Sequence, residues 1–159
     1  MKQRISYLFL VVILLAADQF TKLLVVRNIP PNSGVDVIRD YFTLVHVQNK
    51  GAIFGFFSQS QNTLVYLLLT MASLAALTLV VYYFFKTPAK ETTIMFPLSL
   101  ILAGALGNLS DRVFRGYVID FLDFSIRSWH WPSFNVADSC ITIGAILFIY
   151  VFFFRRQTR

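Results

Sequence analysis

The sequence contains few of the side chains from which soluble enzymes commonly build active sites. Among 159 residues there are one cysteine, two histidines and eight acidic residues, and only 14% of the residues are charged. A single cysteine, Cys140, excludes an internal disulfide and any metal site built from several cysteines. Neither histidine is predicted at a depth where it would activate Cys140 as a nucleophile. The motifs of serine hydrolases, P-loop NTPases and HExxH metalloproteases are also missing.

No metal or organic cofactor is predicted. His46 follows the pattern of a strand, and neither a second histidine nor a carboxylate stands at metal-ligand spacing from it. We therefore interpret His46 as a surface or packing residue.

Apolar residues, in contrast, are abundant. They make up 57% of the chain, with seventeen phenylalanines and seven tyrosines, and the mean hydropathy is +0.65. This composition predicts an integral membrane protein with a single domain over residues 1–159. The net charge of +6 lies in short basic clusters beside apolar segments. Such clusters orient membrane helices, so a nucleic-acid partner is not expected.

Four segments are long and apolar enough to cross a bilayer. They are residues 5–26, 63–85, 94–111 and 136–154. A basic start followed by the apolar run 5–17 also fits a secretory signal peptide. However, apolar residues resume after Asp18 and Lys22, which favours a spanning helix.

Two longer connections predict a small extramembrane β element, over about 35–57 and 113–135. The first includes YFTLVHVQ (Tyr41 to Gln48), whose alternation is typical of a strand, followed by a turn at Asn49 to Gly51. The basic residues at 2–4, 86–90 and 155–159 mark the opposite ends of the helices. Both termini are therefore expected in the cytoplasm, with the β element outside it.

Polar residues from three predicted helices fall at one depth. Counted at about 1.5 Å per residue from the inner ends, Asp18 lies roughly 21 Å, Asn108 roughly 22 Å and Asp138 roughly 25 Å into the membrane. The hydrocarbon core is about 30 Å thick. A shared level just inside the outer boundary indicates a site that opens to the outer face.

Two of the candidate carboxylates have basic neighbours. Asp18 precedes Lys22 by four residues, so the two share a helix face and can pair, with either a structural or a direct site role. Asp111 is followed by Arg112 and Arg115, which favours a structural ion pair.

The other three candidate carboxylates lie on a predicted strand or at the start of a predicted helix. Asp120 and Asp123 are three residues apart, so at most one of them points inward from a strand. Asp138 stands at the start of a helix, where it or Asn135 is expected to act as the N-cap. Two carboxylates that share one proton can activate water and protonate a leaving group, as in aspartic proteases.

The third predicted helix has small and polar residues at helical spacing. Ala103 and Gly107 form a small-xxx-small pair that allows another helix to approach closely. Gly104, Asn108 and Asp111 are predicted on one face.

Five ordered motifs resemble those of bacterial lipoprotein signal peptidases, the signal peptidase II family. They are DQFTK (Asp18 to Lys22), NKGAIFG (Asn49 to Gly55), GALGNLSDR (Gly104 to Arg112), VIDF (Val118 to Phe121) and FNVADS (Phe134 to Ser139). The resemblance covers essentially the whole chain. It implies an all-α inner-membrane aspartic endopeptidase with four transmembrane helices and a small extracytoplasmic β-cradle.

The resemblance also implies a substrate and a set of site residues. Its substrates would be diacylglyceryl-modified prolipoproteins, cut just before the lipidated cysteine by water that the catalytic Asp120 and Asp138 activate. The remaining motif positions would bind substrate or support the site. They are Asn49, Gly51, Asn108, Arg112, Asn135, Asp18, Lys22 and Asp111.

Under this interpretation the protein is a monomer in contact with membrane lipid, and the segment 35–57 could cover the site. Asp120 would hold the shared proton, because Asp138 gains from the helix dipole. One alternative is a small proton-coupled transporter, in which Asp18 and Asp138 relay protons. Another is a membrane scaffold that tolerates the loss of either catalytic aspartate.

Overall fold

Four long helices and a small antiparallel sheet make up the described chain. The computed structural model describes residues 2–50, 63–126 and 129–154. The helices are α1 (Lys2–Asn28), α2 (Thr63–Lys86), α3 (Thr92–Arg115) and α4 (Val136–Phe154). All four are long and apolar enough to cross a membrane. The predicted fold class, four membrane-spanning helices with a small β element, is confirmed.

Three helices extend beyond the segments predicted for them, α2 by only one residue. α1 begins at Lys2, three residues before the predicted start, and α3 continues to Arg115 instead of ending at 111. Gly116 ends α3 in the left-handed conformation, with φ of 78°, and its N–H bonds to the carbonyl of Arg112. Arg115, which lies within the predicted β element, therefore belongs to the helix, as does Arg112.

The sheet joins two distant parts of the chain. Its strands are β1 (Gly34–Ile38), β2 (Phe42–Asn49), β3 (Val118–Ile126) and β4 (Trp129–His130), paired antiparallel in chain order. β2 corresponds to the strand predicted at 41–48. The rest of the predicted cover segment, residues 51–57 with the candidate residue Gly51, lies outside the described residues.

An extra residue in β2 sets its register against β3. Leu44 pairs with Leu122, but the next pair is Val47 with Asp120, which leaves Val45 and His46 in a bulge. The bulge turns His46 inward, where it is 2% exposed and its Nδ1 lies 2.8 Å from the carbonyl oxygen of Ile29. Of the two interpretations of His46, the structure shows the packing residue.

Glycines allow α3 and α4 to approach closely. A Cβ on Gly104 would collide with the carbonyl oxygen of Ala137, and one on Gly144 would lie 2.9 Å from that of Pro97. Ala103, which the sequence predicted with Gly107 to let another helix approach closely, packs in a core cluster with residues of α1 and α2. On α3, Gly104 and Gly107 are therefore the small residues that face α4.

The sheet lies at one end of the helices. Val25 and Ile29, at the end of α1, pack against Ile119 and Phe121 of β3. At the other end, the Arg4 guanidinium donates to the carbonyl oxygen of Thr87 at 2.7 Å. The start of α1 and the α2–α3 connection thus lie together, far from the sheet.

Candidate active site

The segment before α4 brings Asp120 and Asp138 together. The N–H of Phe134 donates to the carbonyl of Leu122, which holds this segment along β3. The next residue, Asn135, donates from Nδ2 to Asp120 Oδ1 at 2.8 Å. Its Oδ1 accepts the N–H of Asp138 at 2.8 Å, as an N-cap does. One side chain therefore bonds both to Asp120 and to the backbone N–H of Asp138. We call Asp120 and Asp138 the aspartate pair.

Asp120 is enclosed by neutral amide donors. It is 1% exposed, and besides Asn135 it accepts a hydrogen bond from Asn49 Nδ2 at 2.8 Å. Asn49 follows Val47, the residue opposite Asp120, by two positions, so the two side chains share a face of the sheet. Burial and then the nearby charge of Asp138 raise the pKa of Asp120 to about 7, while the hydrogen bonds from Asn49 and Asn135 oppose the rise.

A third amide contacts Asp138. Asn108 on α3 donates from Nδ2 to Asp138 Oδ1 at 2.8 Å, and Asp138 is 4% exposed. The Oδ1 of Asn108 lies 3.3 Å from Lys22 Nζ and 3.3 Å from Asn135 Nδ2. Because Lys22 and Asn135 both donate, the side-chain amide of Asn108 points its oxygen toward them and its NH₂ group toward Asp138.

Asp123 lies on the other face of β3. It pairs across the sheet with Thr43, and its carboxylate contacts His130 Nδ1 at 3.0 Å. The side chain of His130 is 58% exposed. Strand alternation thus separates the two aspartates, and Asp120 is the one that faces α4.

Four charged residues form a second buried group beside the aspartate pair. Lys22 Nζ lies 2.8 Å from Asp18 Oδ2 and 2.8 Å from Asp111 Oδ2, and Arg115 pairs with Asp111 Oδ1. Lys22, Asp18 and Asp111 are each at most 1% exposed. The pairing of Asp18 with Lys22 follows the spacing in the sequence. We call these four residues the ion cluster.

The ion cluster also holds the elements that carry the aspartate pair. Asp18 Oδ1 accepts the N–H of Ala137 in the first turn of α4 at 2.9 Å. Asp111 Oδ2 accepts the N–H of Ile119, the residue before Asp120, at 3.3 Å. Sequence reasoning missed both contacts, because neither follows from helical spacing.

Sequence reasoning also missed Gln19. Its Nε2 lies 3.1 Å from Asp18 Oδ2 and 3.3 Å from Asp111 Oδ1, and its Oε1 accepts from Arg115. Two signals could have found it: its place in the DQFTK motif and its polar side chain inside an apolar helix.

Two apolar grooves reach the site from the side. A cavity of about 340 Å³ lies between α2, α3 and α4 and is lined by apolar residues together with Asn108 and Arg112. The guanidinium of Arg112 lies near the carbonyl oxygen of Asn108, at 3.5 Å. A smaller groove of about 230 Å³ on the other side of α4 includes Asp138, Phe134 and Ile143. The polar site is thus approached through apolar surfaces.

This arrangement can support acid–base chemistry. Within residues 2–50, 63–126 and 129–154, neither member of the aspartate pair forms an ion pair, and their hydrogen-bond donors are amides. A buried carboxyl with a pKa of about 7 can exchange a proton near neutral pH. In the ion cluster, by contrast, each carboxylate has a cation in contact.

Comparisons with known proteins agree over nearly the whole chain. The family model described as signal peptidase (SPase) II matches residues 10–154. A lipoprotein signal peptidase of Francisella tularensis subsp. novicida (strain U112) is 39% identical over 157 residues, covering 99% of this chain and 97% of that protein. One from Desulforapulum autotrophicum is 41% identical over 145 residues, covering 91% and 89%.

Solved structures give the same result. A bacterial membrane enzyme solved by the in meso method at 2.3 Å resolution superposes with a TM-score of 0.81 at 30% identity, covering 96% of this chain and 90% of that one. A second, at 1.9 Å resolution, has a TM-score of 0.77 at 31% identity, with 92% of each chain covered. Because the matches in sequence and in fold both span nearly the full length, this multi-pass membrane protein belongs to the signal peptidase II family.

Proposed function

We propose that the protein is an aspartic endopeptidase that removes signal peptides from diacylglyceryl-modified prolipoproteins by cleaving before the lipidated cysteine. Curated relatives at 39% and 41% identity bear the name lipoprotein signal peptidase. The observation that carries the aspartic mechanism is the buried aspartate pair. Asn135 bonds to Asp120 and to the first turn of α4, and only amides donate to the two carboxylates among the described residues.

The proposed reaction uses the two carboxyl groups in opposite roles. Asp138, as the carboxylate, takes a proton from water while the water oxygen attacks the scissile carbonyl carbon. Asp120, as the acid, gives its proton to the substrate, and the peptide C–N bond breaks as the amine leaves. A pKa of about 7 for Asp120 supports its assignment as the proton holder at rest. Asp138 lies in the first turn of α4, where the helix dipole favours an anion.

The other family-motif residues would hold this geometry or the substrate. Asn49 and Asn135 fix Asp120, and Asn108 fixes Asp138. The ion cluster, including Asp18, Lys22 and Asp111, would hold β3 and α4 in place. Arg112 and Gly51 are proposed to contact substrate. For Arg112, its position beside the apolar cavity of about 340 Å³ supports this role.

We further propose that the sheet end of the helices faces the outside of the cytoplasmic membrane and that both termini are cytoplasmic. The basic residues of the start of α1 and of the α2–α3 connection support this orientation, since Arg4 and Thr87 are in contact. Acyl chains on the substrate would then hold its cysteine at the depth of the aspartate pair. One domain acting as a monomer is sufficient for this reaction.

The transporter alternative finds less support. A proton path across the membrane needs titratable groups along its length. In the part of the chain that the structure describes, the buried titratable groups of the helices gather near the sheet. They are Asp18, Lys22, Asp111, Arg112, Asp138 and Cys140.

Cleavage of a diacylglyceryl-modified prolipoprotein in detergent tests the proposal. Asp120→Asn and Asp138→Asn should each lower the rate by about 10²–10⁴-fold, as expected when a general acid or base is lost. Asp123→Asn is the matched control, because it makes the same change on the opposite face of β3 and should cleave normally. Folded yield is measured for each variant. An active Asp120→Asn beside an inactive Asp123→Asn would refute the assignment, and cleavage by all three would refute the aspartic mechanism.

A further inference from the structure

Both tryptophans of the chain lie on one surface of the sheet. The sequence contains only Trp129 and Trp131, which lie in and beside β4. They line a shallow cavity together with Tyr41, Phe124 and Ile126, and we call these five residues the aromatic patch. Their side chains are between 45% and 63% exposed. Exposed apolar surface of this extent marks an interaction surface.

The hairpin of β3 and β4 is amphipathic. Ile126 pairs with Trp129, whereas Ser125 pairs with His130. His130 contacts Asp123, two residues before Ser125 and therefore on the same face. The aromatic patch thus occupies one face of the hairpin, and a polar pair occupies the other. An interface between an apolar and an aqueous phase suits such a hairpin.

The aromatic patch lies on the same face of β3 as Asp120. Asp120, Leu122, Phe124 and Ile126 are at alternate positions of β3, so they share one face. Asp120 bonds to Asn135 at the start of α4. The patch therefore lies on the face of β3 that contacts the start of α4, and it extends along the strand beyond that contact.

The length of α4 places this surface near the membrane boundary. Its nineteen residues span about 28 Å, close to the roughly 30 Å of a hydrocarbon core. Val136, its first residue, then lies near the boundary. The groove of about 230 Å³ joins Trp131 and Phe134 to Ile143 on α4. This groove thus connects the surface of a membrane-spanning helix with the aromatic residues of the sheet.

We propose that the aromatic patch is immersed in the interfacial layer of the bilayer, where lipid covers it. Tryptophan and tyrosine are enriched at this level because their rings are amphipathic. Immersion there fixes the height of β3 relative to the membrane, while Asp123 and His130 face water. The inference rests on the shape of the sheet and does not depend on peptidase activity.

Tryptophan fluorescence tests this directly, because all emission comes from the patch. The full chain is reconstituted into phosphatidylcholine vesicles whose acyl chains carry bromine either near the headgroup or near the methyl end. Bromine near the headgroup should cause the larger loss of emission, and iodide in the water should cause little. The single-tryptophan variants Trp129→Phe and Trp131→Phe should behave alike.

A face-reversed variant supplies the control. Trp129→Phe and Trp131→Phe combined with His130→Trp leave one tryptophan on the polar face of the same hairpin. Iodide should quench the emission of this variant strongly, and the brominated lipids should quench it little. The inactive variant Asp120→Asn should give the wild-type quenching pattern, which separates this test from the test of the proposed function.

Several results would overturn the proposal. Strong quenching by iodide with none by brominated lipid would place the patch in water. Protection from iodide that appears only after a lipidated substrate peptide is added would make the substrate the occupant. Protection that depends on protein concentration would indicate a second copy of the chain.

Discussion

Two groups of buried carboxylates lie side by side in this protein, and their surroundings differ in one respect. In the ion cluster, Asp18 and Asp111 contact the cations of Lys22 and Arg115. The aspartate pair is equally buried, but its donors are the amides of three asparagines: Asn49, Asn108 and Asn135.

This difference gives the two groups different roles: the ion cluster stabilises the structure, and the aspartate pair binds a proton. In the ion cluster each carboxylate contacts a cation, and the two carboxylates fix the backbone of α4 and β3 through the N–H groups of Ala137 and Ile119. Amides supply hydrogen bonds without a compensating charge, so burial and mutual repulsion act unopposed by a contacting cation. The pKa of Asp120 near 7 is the result. Asn108 touches both groups, since it lies between Lys22 and Asp138.

The largest expected effect comes from removing the shared cation of the ion cluster. Lys22→Met should lower the free energy of unfolding by about 3–5 kcal/mol, because two buried carboxylates lose their partner. Chemical unfolding in detergent measures the change. Lys90→Met, at an exposed lysine of the α2–α3 connection, should stay within about 0.5 kcal/mol of wild type. Equal stability of the two variants would contradict a structural role for the ion cluster.

Asn108→Ala should affect chemistry more than folding. It leaves a buried carboxylate without its donor, which costs about 1–3 kcal/mol. If this free energy is added to the activation barrier of the reaction, the turnover rate per folded molecule decreases roughly 5–150-fold. Asn28→Ala is the control, because Asn28 is exposed and donates to a carbonyl of its own helix. Wild-type turnover by Asn108→Ala would show that Asp138 needs no amide donor.

The stability of the wild type should depend on pH through Asp120. The folded-state pKa is about 7, against about 3.9 for an unfolded aspartate. Between these values the folded form binds the proton more tightly, so stability falls as pH rises, by at most about 1.4 kcal/mol per pH unit. Unfolding in detergent between about pH 4 and pH 7 should show this decrease in the free energy of unfolding for the wild type. The decrease should be missing from Asp120→Asn. An identical slope in both proteins would rule out Asp120 as its source.

The smallest effect is expected at the surface pair. A double-mutant cycle with Asp123→Asn and His130→Gln should give a coupling energy below about 1 kcal/mol, since exposed pairs are screened by water. Cleavage by the double variant should match wild type. A tenfold loss of cleavage would mean that the outer face of β3 takes part in the reaction.

Composition and helical spacing predicted much of this arrangement. The span 136–154 has the ends that the sequence predicts, because Asn135 is a capping residue that precedes a long, mainly apolar run. The spacing of Asp18 and Lys22 also predicted their contact. These features are local in sequence.

What the sequence could not predict depends on contacts between distant segments. The inward position of Asp120 depends on the pairing of β2 with β3, including one extra residue at the bulge. The bond from Ala137 to Asp18 joins residues 119 positions apart. Ala103 and Gly104 are neighbours on one helix, and only the packing of α4 decides which of them lies at the contact.

Infrared spectroscopy with isotope-labelled aspartate tests the central distinction most directly. A protonated carboxyl absorbs separately from a carboxylate, so the method reports which group holds a proton. The account predicts a protonated-carboxyl band in wild type that disappears as pH rises through about 7. The band should be missing from Asp120→Asn and retained in Asp111→Asn. A band that survives in Asp120→Asn and is lost in Asp111→Asn would place the proton in the ion cluster and contradict the account.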